Sequence, residues 1–205
     1  MPEFTFTKLS TGNYKEKGSS FYAVAQSTSG INEVKSLLSN IKKEYPDASH
    51  ICYAYRIKTG QRLDEFFSDS GEPKGSAGQH ILNVLKRKYL INAIIIVVRH
   101  FGGTKLGIPR LSHAYNTAAE IAIENETFTP WLEKKRLCIT YPYKLEGEMK
   151  SILTKNQALV VNEDFGEKIY IQLEIDVELA EKFIASIKEL SAGKKQIIME
   201  DQKVY

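Results

Sequence analysis

The sequence predicts an α+β protein of two domains, and three observations carry that prediction. Residues 136–205 read as β-α-β-β-α-β, the split βαβ order of a ferredoxin-like sandwich with two helices over one face of a four-stranded sheet. The run AIIIVVR at 93–99 is apolar over a full strand length, as a central strand buried on both faces requires. Between these regions, NETFTPWLEKK carries turn and charged residues with no periodicity and marks the boundary. The domains are therefore placed at 1–128 and 136–205.

A first strand is expected near Glu3 to Thr7, and KGSSFYAVAQS gives a second from Ser20 to Gln26 by its β-rich, partly alternating character. Ile31, Val34, Leu37, Leu38 and Ile41 recur at helical spacing, and Pro46 stops that helix after Tyr45. HICYAYRI (50–57) and RLDEFFS (62–68), separated by a turn from Lys58 to Gln61 containing Gly60, form a hairpin. Ser76 is expected to cap a helix whose inward positions include Ile81, Leu82, Val84 and Leu85, with Tyr89 at its end. After the central strand, Pro109 suits the first turn of a helix running to about Asn125 with Leu111, Tyr115, Ala118, Ala119 and Ala122 inward. In the second domain, RLCITYPY, QALVVNEDF, EKIYIQLEI and KKQIIMED read as strands. LEGEMKSILTKN and VELAEKFIASIKEL read as helices.

Composition excludes more than it assigns. The longest uncharged apolar run, Ala93 to Val98, is far short of the roughly 18 residues of a membrane span, and MPEFTFTKLS lacks the layout of a secretory signal, so a cytoplasmic location is expected. Cys52 and Cys138 lie in strand-like runs without a CxxC or Cys/His spacing, which predicts buried, reduced thiols and no zinc site. His50, His80, His100 and His113 show no metal-binding spacing, and His50 at a strand start reads as structural. Residues 1–135 hold 18 lysines and arginines against 13 carboxylates, while 136–205 hold 10 against 12, so any polyanion contact is expected on the N-terminal part. Lys86, Arg87 and Lys88 sit at a helix C-terminus, where the dipole accounts for them.

Two glycine-rich runs flank one helix and one strand: DSGEPKGSAGQHIL (69–82) and RHFGGTKLG (99–107). Each mixes glycines with a basic side chain, a pattern that suits an anionic partner. The anion contacts assigned from the residues are Lys74, Arg99, Lys105 and Arg110, with backbone N–H groups at Gly75, Ser76, Gly102 and Gly103 completing a cradle. Phe101 offers a ring for a base. Asp69 and Glu72 are the candidate ligands of a divalent cation or acid/base groups; no catalytic residue, resident metal or other cofactor is assigned. The alternative is that the loops need glycine only for geometry and that Arg99 pairs with Asp69 or Glu72.

The runs HICYAYRI, FSDSGEPKGSAGQHILNVL and IIIVVRHFGGTKLG, followed by a helix carrying AYNTAAE, resemble the IMPACT/YigZ-like family over about residues 15–125. The C-terminal unit is similar to the small extra domain of its bacterial members. The resemblance implies a first domain with the left-handed βαβ topology of the second domain of ribosomal small-subunit protein five, and a second domain like the last domain of elongation factor G. It also implies a connection with translation: eukaryotic relatives are linked to translational control through a scaffold protein that activates an initiation-factor kinase. The sequence departs from the bacterial pattern at Gln79 and His80 and again at Pro109 and Arg110, beside the two loops.

The expectation is thus a translation-associated regulatory protein that binds a ribosomal, RNA or protein partner through a basic groove between the glycine loops. Its alternatives are an enzyme acting on a phosphorylated or nucleotide-like small molecule and a protein-interaction adaptor. In the second domain only Tyr170 stands where the stacking aromatics of an RNA-recognition sheet belong, so that domain is expected to contact protein.

Overall fold

In the computed structural model, which describes residues 2–60, 62–124, 126–191 and 197–202, the N-terminal part runs β1 (Phe4–Phe6), β2 (Ser10–Glu16), β3 (Ser19–Ser27), α1 (Ile31–Glu44), β4 (His50–Thr59), β5 (Arg62–Ser68), α2 (Gly78–Arg87), β6 (Ala93–His100), α3 (Ile108–Ile123) and β7 (Phe128–Pro130). The C-terminal part runs β8 (Lys134–Tyr141), a short 3-10 turn, α4 (Glu146–Lys155), β9 (Leu159–Phe165), β10 (Ile169–Asp176), α5 (Val177–Ser191) and β11 (Ile198–Gln202). The chain divides into two units, 1–131 and 132–205. Gln61, Asn125 and residues 194–196, on which parts of the expected turn, helix end and closing strand fall, lie outside the described residues.

Strand β6 is the centre of the first unit. Its sheet has the order β2-β3-β6-β4-β5 with every neighbouring pair antiparallel. Strands β3 and β4, both antiparallel to β6, run parallel to each other and are joined across the sheet by α1, a βαβ unit with a strand between its arms. Alternation along β6 then feeds two cores. Ala93, Ile95 and Val97 pack with Ile81, Leu85, Leu111, Tyr115 and Ala118 of α2 and α3, while Ile94, Ile96 and Val98 pack with Val34 and Ile41 of α1. Removing a side chain such as Ile95 to alanine should cost about 2–5 kcal/mol, transfer and cavity terms together.

The same alternation puts Arg99 in the row of Ala93, Ile95 and Val97. It puts His50 in the β4 row of Cys52 and Ala54, and Ser19 in the β3 row of Phe21 and Ala23. All three therefore stand on the face covered by α2 and α3, at the end of the sheet from which both glycine runs spring.

In the second unit the sheet order is β11-β8-β10-β9, again antiparallel, which is the ferredoxin-like arrangement. Ile169, Ile171, Leu173 and Ile175 of β10 face Met149 and Leu153 of α4 and Phe183 and Ile187 of α5. Tyr170, Gln172 and Glu174 alternate onto the other face, opposite Thr140, Cys138 and Arg136. There the Tyr170 hydroxyl contacts Cys138 Sγ at 3.1 Å and Arg136 pairs with Glu174 at 2.7 Å.

Two strands go beyond the sequence reading. STGNYKE forms β2 although it is polar, because Ser10, Gly12 and Tyr14 alternate inward; Gly12 lets the strand lie against α3, where a Cβ would come within 2.5 Å of the Ala122 amide nitrogen. FTP in the expected boundary segment forms β7, pairing with β1 and setting Phe128 edge-to-face on Phe6 at 5.6 Å. Tyr89, expected at the inward end of α2, is exposed beyond its last turn.

Candidate functional site

The first glycine run folds around a carboxylate of its own. Asp69 Oδ2 accepts the Gly75 N–H at 2.7 Å, and Oδ1 accepts those of Ala77 at 3.0 Å and Gly78 at 2.8 Å. Asp69 thus does, from six to nine residues upstream, the work expected of Ser76 as a helix cap. Ser76 is wholly buried one residue before the N-cap, with its hydroxyl and its N–H both donated to the Pro73 carbonyl. Gly75 turns the chain at φ +77°, a left-handed conformation that favours glycine. The N–H groups of Gly75 and Ser76, expected to face an anion, are engaged inside the chain, and Asp69 is directed at the backbone rather than at a cation.

The second run is held by contact with the β2–β3 turn. Gly102 lies so close to Gly18 that a Cβ would fall 1.9 Å from the Gly18 carbonyl carbon, and its N–H donates to Ser19 Oγ at 3.1 Å. The Phe101 N–H donates to Ser49 Oγ at 3.0 Å and leaves its ring about half exposed. Gly103 is exposed, and its N–H has no partner among the described residues.

Between the runs lies a buried polar cluster. Arg99 Nη1 donates to Glu72 Oε1 at 2.6 Å, the Tyr115 hydroxyl donates to the same oxygen at 2.8 Å, and the Arg99 and Glu72 side chains are only 7% and 4% exposed. The guanidinium lies 5.5 Å from the Phe21 ring and 5.6 Å from that of Phe101. Removing one member of such a pair strands the other charge, at a cost of about 3–5 kcal/mol. Arg99 and Glu72 are therefore mutual partners before they are contacts for anything else.

Two neutral groups complete the cluster. Burial pushes the Cys52 thiol up to about 12, reinforced by the Glu72 and Asp69 carboxylates against the opposing Tyr115 hydroxyl; the thiol donates to the Asp69 carbonyl at 3.0 Å. Burial, with Cys52 and Glu72 nearby, also raises Tyr115, so its hydroxyl stays a donor. His50, read from sequence as structural, faces this cluster: Nδ1 is 2.9 Å from the Ser70 carbonyl and Nε2 is 3.9 Å from Glu72 Oε2. Alternation along HICYAYRI, placing His50 in register with Cys52 and Ala54, was the signal for it.

Above the cluster opens a pocket of about 330 Å³, lined among others by His50, Glu72, Arg99, Phe101, Lys105 and Leu111. Gly107 and Ile108 at the start of α3 also line it, and the N-cap residue Gly107 offers no side-chain cap. Lys105 is exposed on the rim; Lys74 and Arg110 are exposed on the first loop and on the first turn of α3. None of these three cations has an ion pair or hydrogen bond among the described residues. Those residues contain no cluster of three His, Cys, Asp or Glu side chains arranged to hold a metal ion, and no helix long and apolar enough to cross a membrane.

This is a two-domain α+β protein in which glycine loops frame a polar pocket at one end of an antiparallel sheet, followed by a ferredoxin-like unit. The Impact N-terminal domain matches residues 17–123 and a domain of unknown function, DUF1949, matches 139–194; the chain belongs to the IMPACT family. It is 29% identical over 179 residues to an IMPACT family member of Haemophilus influenzae, with 87% of each chain covered. It is 27% identical to the IMPACT family member YigZ of Escherichia coli over 89% of this chain and 90% of that one. A crystal structure of a hypothetical protein matches its fold over 100% of both chains, with a TM-score of 0.70 at 23% identity.

Proposed function

We propose that this protein is a cytoplasmic, translation-associated regulator whose N-terminal unit binds RNA of the translation apparatus through the groove between the glycine loops. The observation that carries this reading is an open pocket lined by the exposed, unpaired Lys105 and a half-exposed aromatic ring, with two further unpaired cations, Lys74 and Arg110, next in the chain to the lining residues Pro73 and Leu111. Phosphates are held by such point charges and by uncapped helix N-termini, and a base stacks on a free ring. The translational setting comes with the family, whose eukaryotic members are linked to translational control. Of the contacts expected from sequence, Lys74, Lys105, Arg110 and the Gly103 N–H remain available. Arg99 shares its charge with Glu72, and the Gly75, Ser76 and Gly102 amides serve the fold.

An enzymatic reading finds less support, because the Cys52 thiol is held neutral and Glu72 Oε1 already accepts two hydrogen bonds. Likewise, a divalent cation bridging Asp69 and Glu72 would compete with backbone N–H groups for both Asp69 oxygens and with Arg99 and Tyr115 for Glu72 Oε1, leaving it only Glu72 Oε2 uncontested. Cosedimentation with ribosomes and with free RNA across a salt series tests the proposal, comparing the wild type with the Lys74→Ala/Lys105→Ala/Arg110→Ala variant. Wild-type binding should weaken with salt, and the variant should flatten the log–log slope by about 0.7 for each phosphate it no longer neutralises. No wild-type binding at low salt overturns the reading. Binding that resists nuclease and changes little with salt assigns the groove to a protein partner instead.

A further inference from the structure

We infer that the pocket between the glycine loops reads the ribose of an RNA chain, with Glu72 and His50 as the recognising pair; the inference rests on the RNA reading of this groove. Glu72 has two oxygens in different situations. Oε1 accepts from Arg99 and Tyr115, while Oε2 accepts no hydrogen bond from the described residues, although the side chain is only 4% exposed. Opposite Oε2 stands His50 Nε2, at 3.9 Å, too far for a hydrogen bond.

The His50 ring is oriented from behind. A carbonyl only accepts, so the 2.9 Å contact with the Ser70 oxygen places a proton on Nδ1 and turns Nε2 into the pocket. Ser70 holds φ +47° and Gly71 φ +88° to form the turn that presents this carbonyl, and a Cβ at Gly71 would come within 3.3 Å of His50 Nδ1. Beneath the pair, the buried Arg99 Nε has no partner. The floor of the pocket is therefore built from side chains held by the fold and is incompletely satisfied.

A hydroxyl seated between Glu72 Oε2 and His50 Nε2 fits this arrangement. It donates to the carboxylate and, when the ring is charged, accepts the Nε2 proton. The surrounding groups select what carries that hydroxyl. Lys105 and the uncapped N-terminus of α3 take a phosphate, and the half-exposed Phe101 ring takes a base, which together describe one nucleotide of single-stranded RNA with its 2′-hydroxyl at the floor. DNA presents no group there and leaves Glu72 Oε2 unmatched.

The test is a fluorescence anisotropy titration of the full chain with a mixed-sequence single-stranded RNA, its 2′-deoxy counterpart and its 2′-O-methyl counterpart. The wild type should bind RNA about tenfold more tightly than either analogue, as loss of a hydrogen bond to a charged group implies. His50→Ala should lower RNA affinity toward the DNA level without reaching it, since the hydroxyl keeps its bond to Glu72 Oε2, and should leave DNA affinity unchanged; an unaltered RNA affinity removes His50 from the recognising pair. Should that variant fail to fold, the wild-type comparison of the three strands decides alone. Equal affinity for all three strands, still dependent on Lys74, Lys105 and Arg110, overturns ribose recognition and leaves RNA binding at the groove intact. Absence of binding to any strand overturns both.

Discussion

Replacing Asp69 by alanine removes one carboxylate and orphans three backbone donors, those of Gly75, Ala77 and Gly78. Ala77 and Gly78 are buried, so water does not replace the missing acceptor, and each unmet buried N–H costs about 1–3 kcal/mol. Gly75 is half-buried and recovers part of its loss from solvent. The sum for Asp69→Ala is about 3–5 kcal/mol, a large share of the 5–15 kcal/mol typical of a folded domain. Asp69→Asn can keep Oδ1 for Ala77 and Gly78 but turns an amide N–H₂ toward the Gly75 N–H, for a loss of about 1–3 kcal/mol. Urea unfolding followed by fluorescence of Trp131 measures both. That residue is the only tryptophan of the chain; it belongs to the first unit and lies under Lys58 Nζ at 5.0 Å. With a slope of about 2 kcal/mol per molar urea, the alanine variant should lower the midpoint by roughly 2 M and the asparagine variant by roughly 1 M. A loss under about 1 kcal/mol for alanine, or equal losses for the two variants, would refute the claim that this carboxylate organises the loop.

Three other perturbations test separate parts of the fold. The Ser29 N–H and hydroxyl donate to Glu33 at 2.6 and 2.8 Å and hold its carboxyl below the ordinary 4.5. That stabilisation is complete above about pH 4.5 and is lost as pH falls through the lowered folded value; Glu33→Gln should cost about 1 kcal/mol in urea melts at neutral pH, with the gap closing below that point. Cys52, wholly buried and pushed up to about 12, stays a neutral thiol; in a Cys138→Ser background it should resist a thiol reagent at pH 8 until the first unit unfolds, and prompt labelling of native protein would contradict its placement. Gly102→Ala sets a methyl group against the Gly18 backbone and should cost about 2–4 kcal/mol by thermal or urea melting, whereas Lys74→Ala, on an exposed and unpaired side chain, should stay within about 0.5 kcal/mol of wild type.

Long periodic or wholly apolar runs were legible because burial alone dictates them. AIIIVVR had to be central, EKIYIQLEI had to show one face to its helices, and the spacing of Ile31, Val34, Leu37, Leu38 and Ile41 had to be helical. What escaped was decided by tertiary partners. Strand β2 is polar and exists because β3 and α3 lie beside it; β7 is three residues long and exists because β1 has an edge to fill. Ser76 looked like a cap by type and position, but Asp69, distant in sequence and brought near by the turn at Ser70 and Gly71, reaches the α2 amides with a full negative charge. A charged acceptor makes the stronger hydrogen bond.

The glycine runs show why loop composition alone over-assigns a binding site. Glycine and lysine together suggested an anion cradle, yet the same run carries Asp69 and Glu72. An intramolecular carboxylate tied to its own loop has little translational entropy left to lose, so it takes the loop amides ahead of any diffusing phosphate. Glu72 likewise claims Arg99, the cation closest to the centre. What the protein leaves for a partner is therefore the remainder after self-satisfaction: one carboxylate oxygen and an imidazole nitrogen 3.9 Å apart at the floor, the unpaired Lys105 in the lining, two more unpaired cations on the neighbouring loop and helix start, and one half-exposed ring. That remainder is chemically narrower than the cradle the sequence suggested. A bare phosphate would find only the exposed cations, the uncapped start of α3 and the Gly103 N–H, whereas a ligand that also brings a hydroxyl engages the floor, which makes the oxygen of Glu72 that the fold does not use the most informative atom of the site.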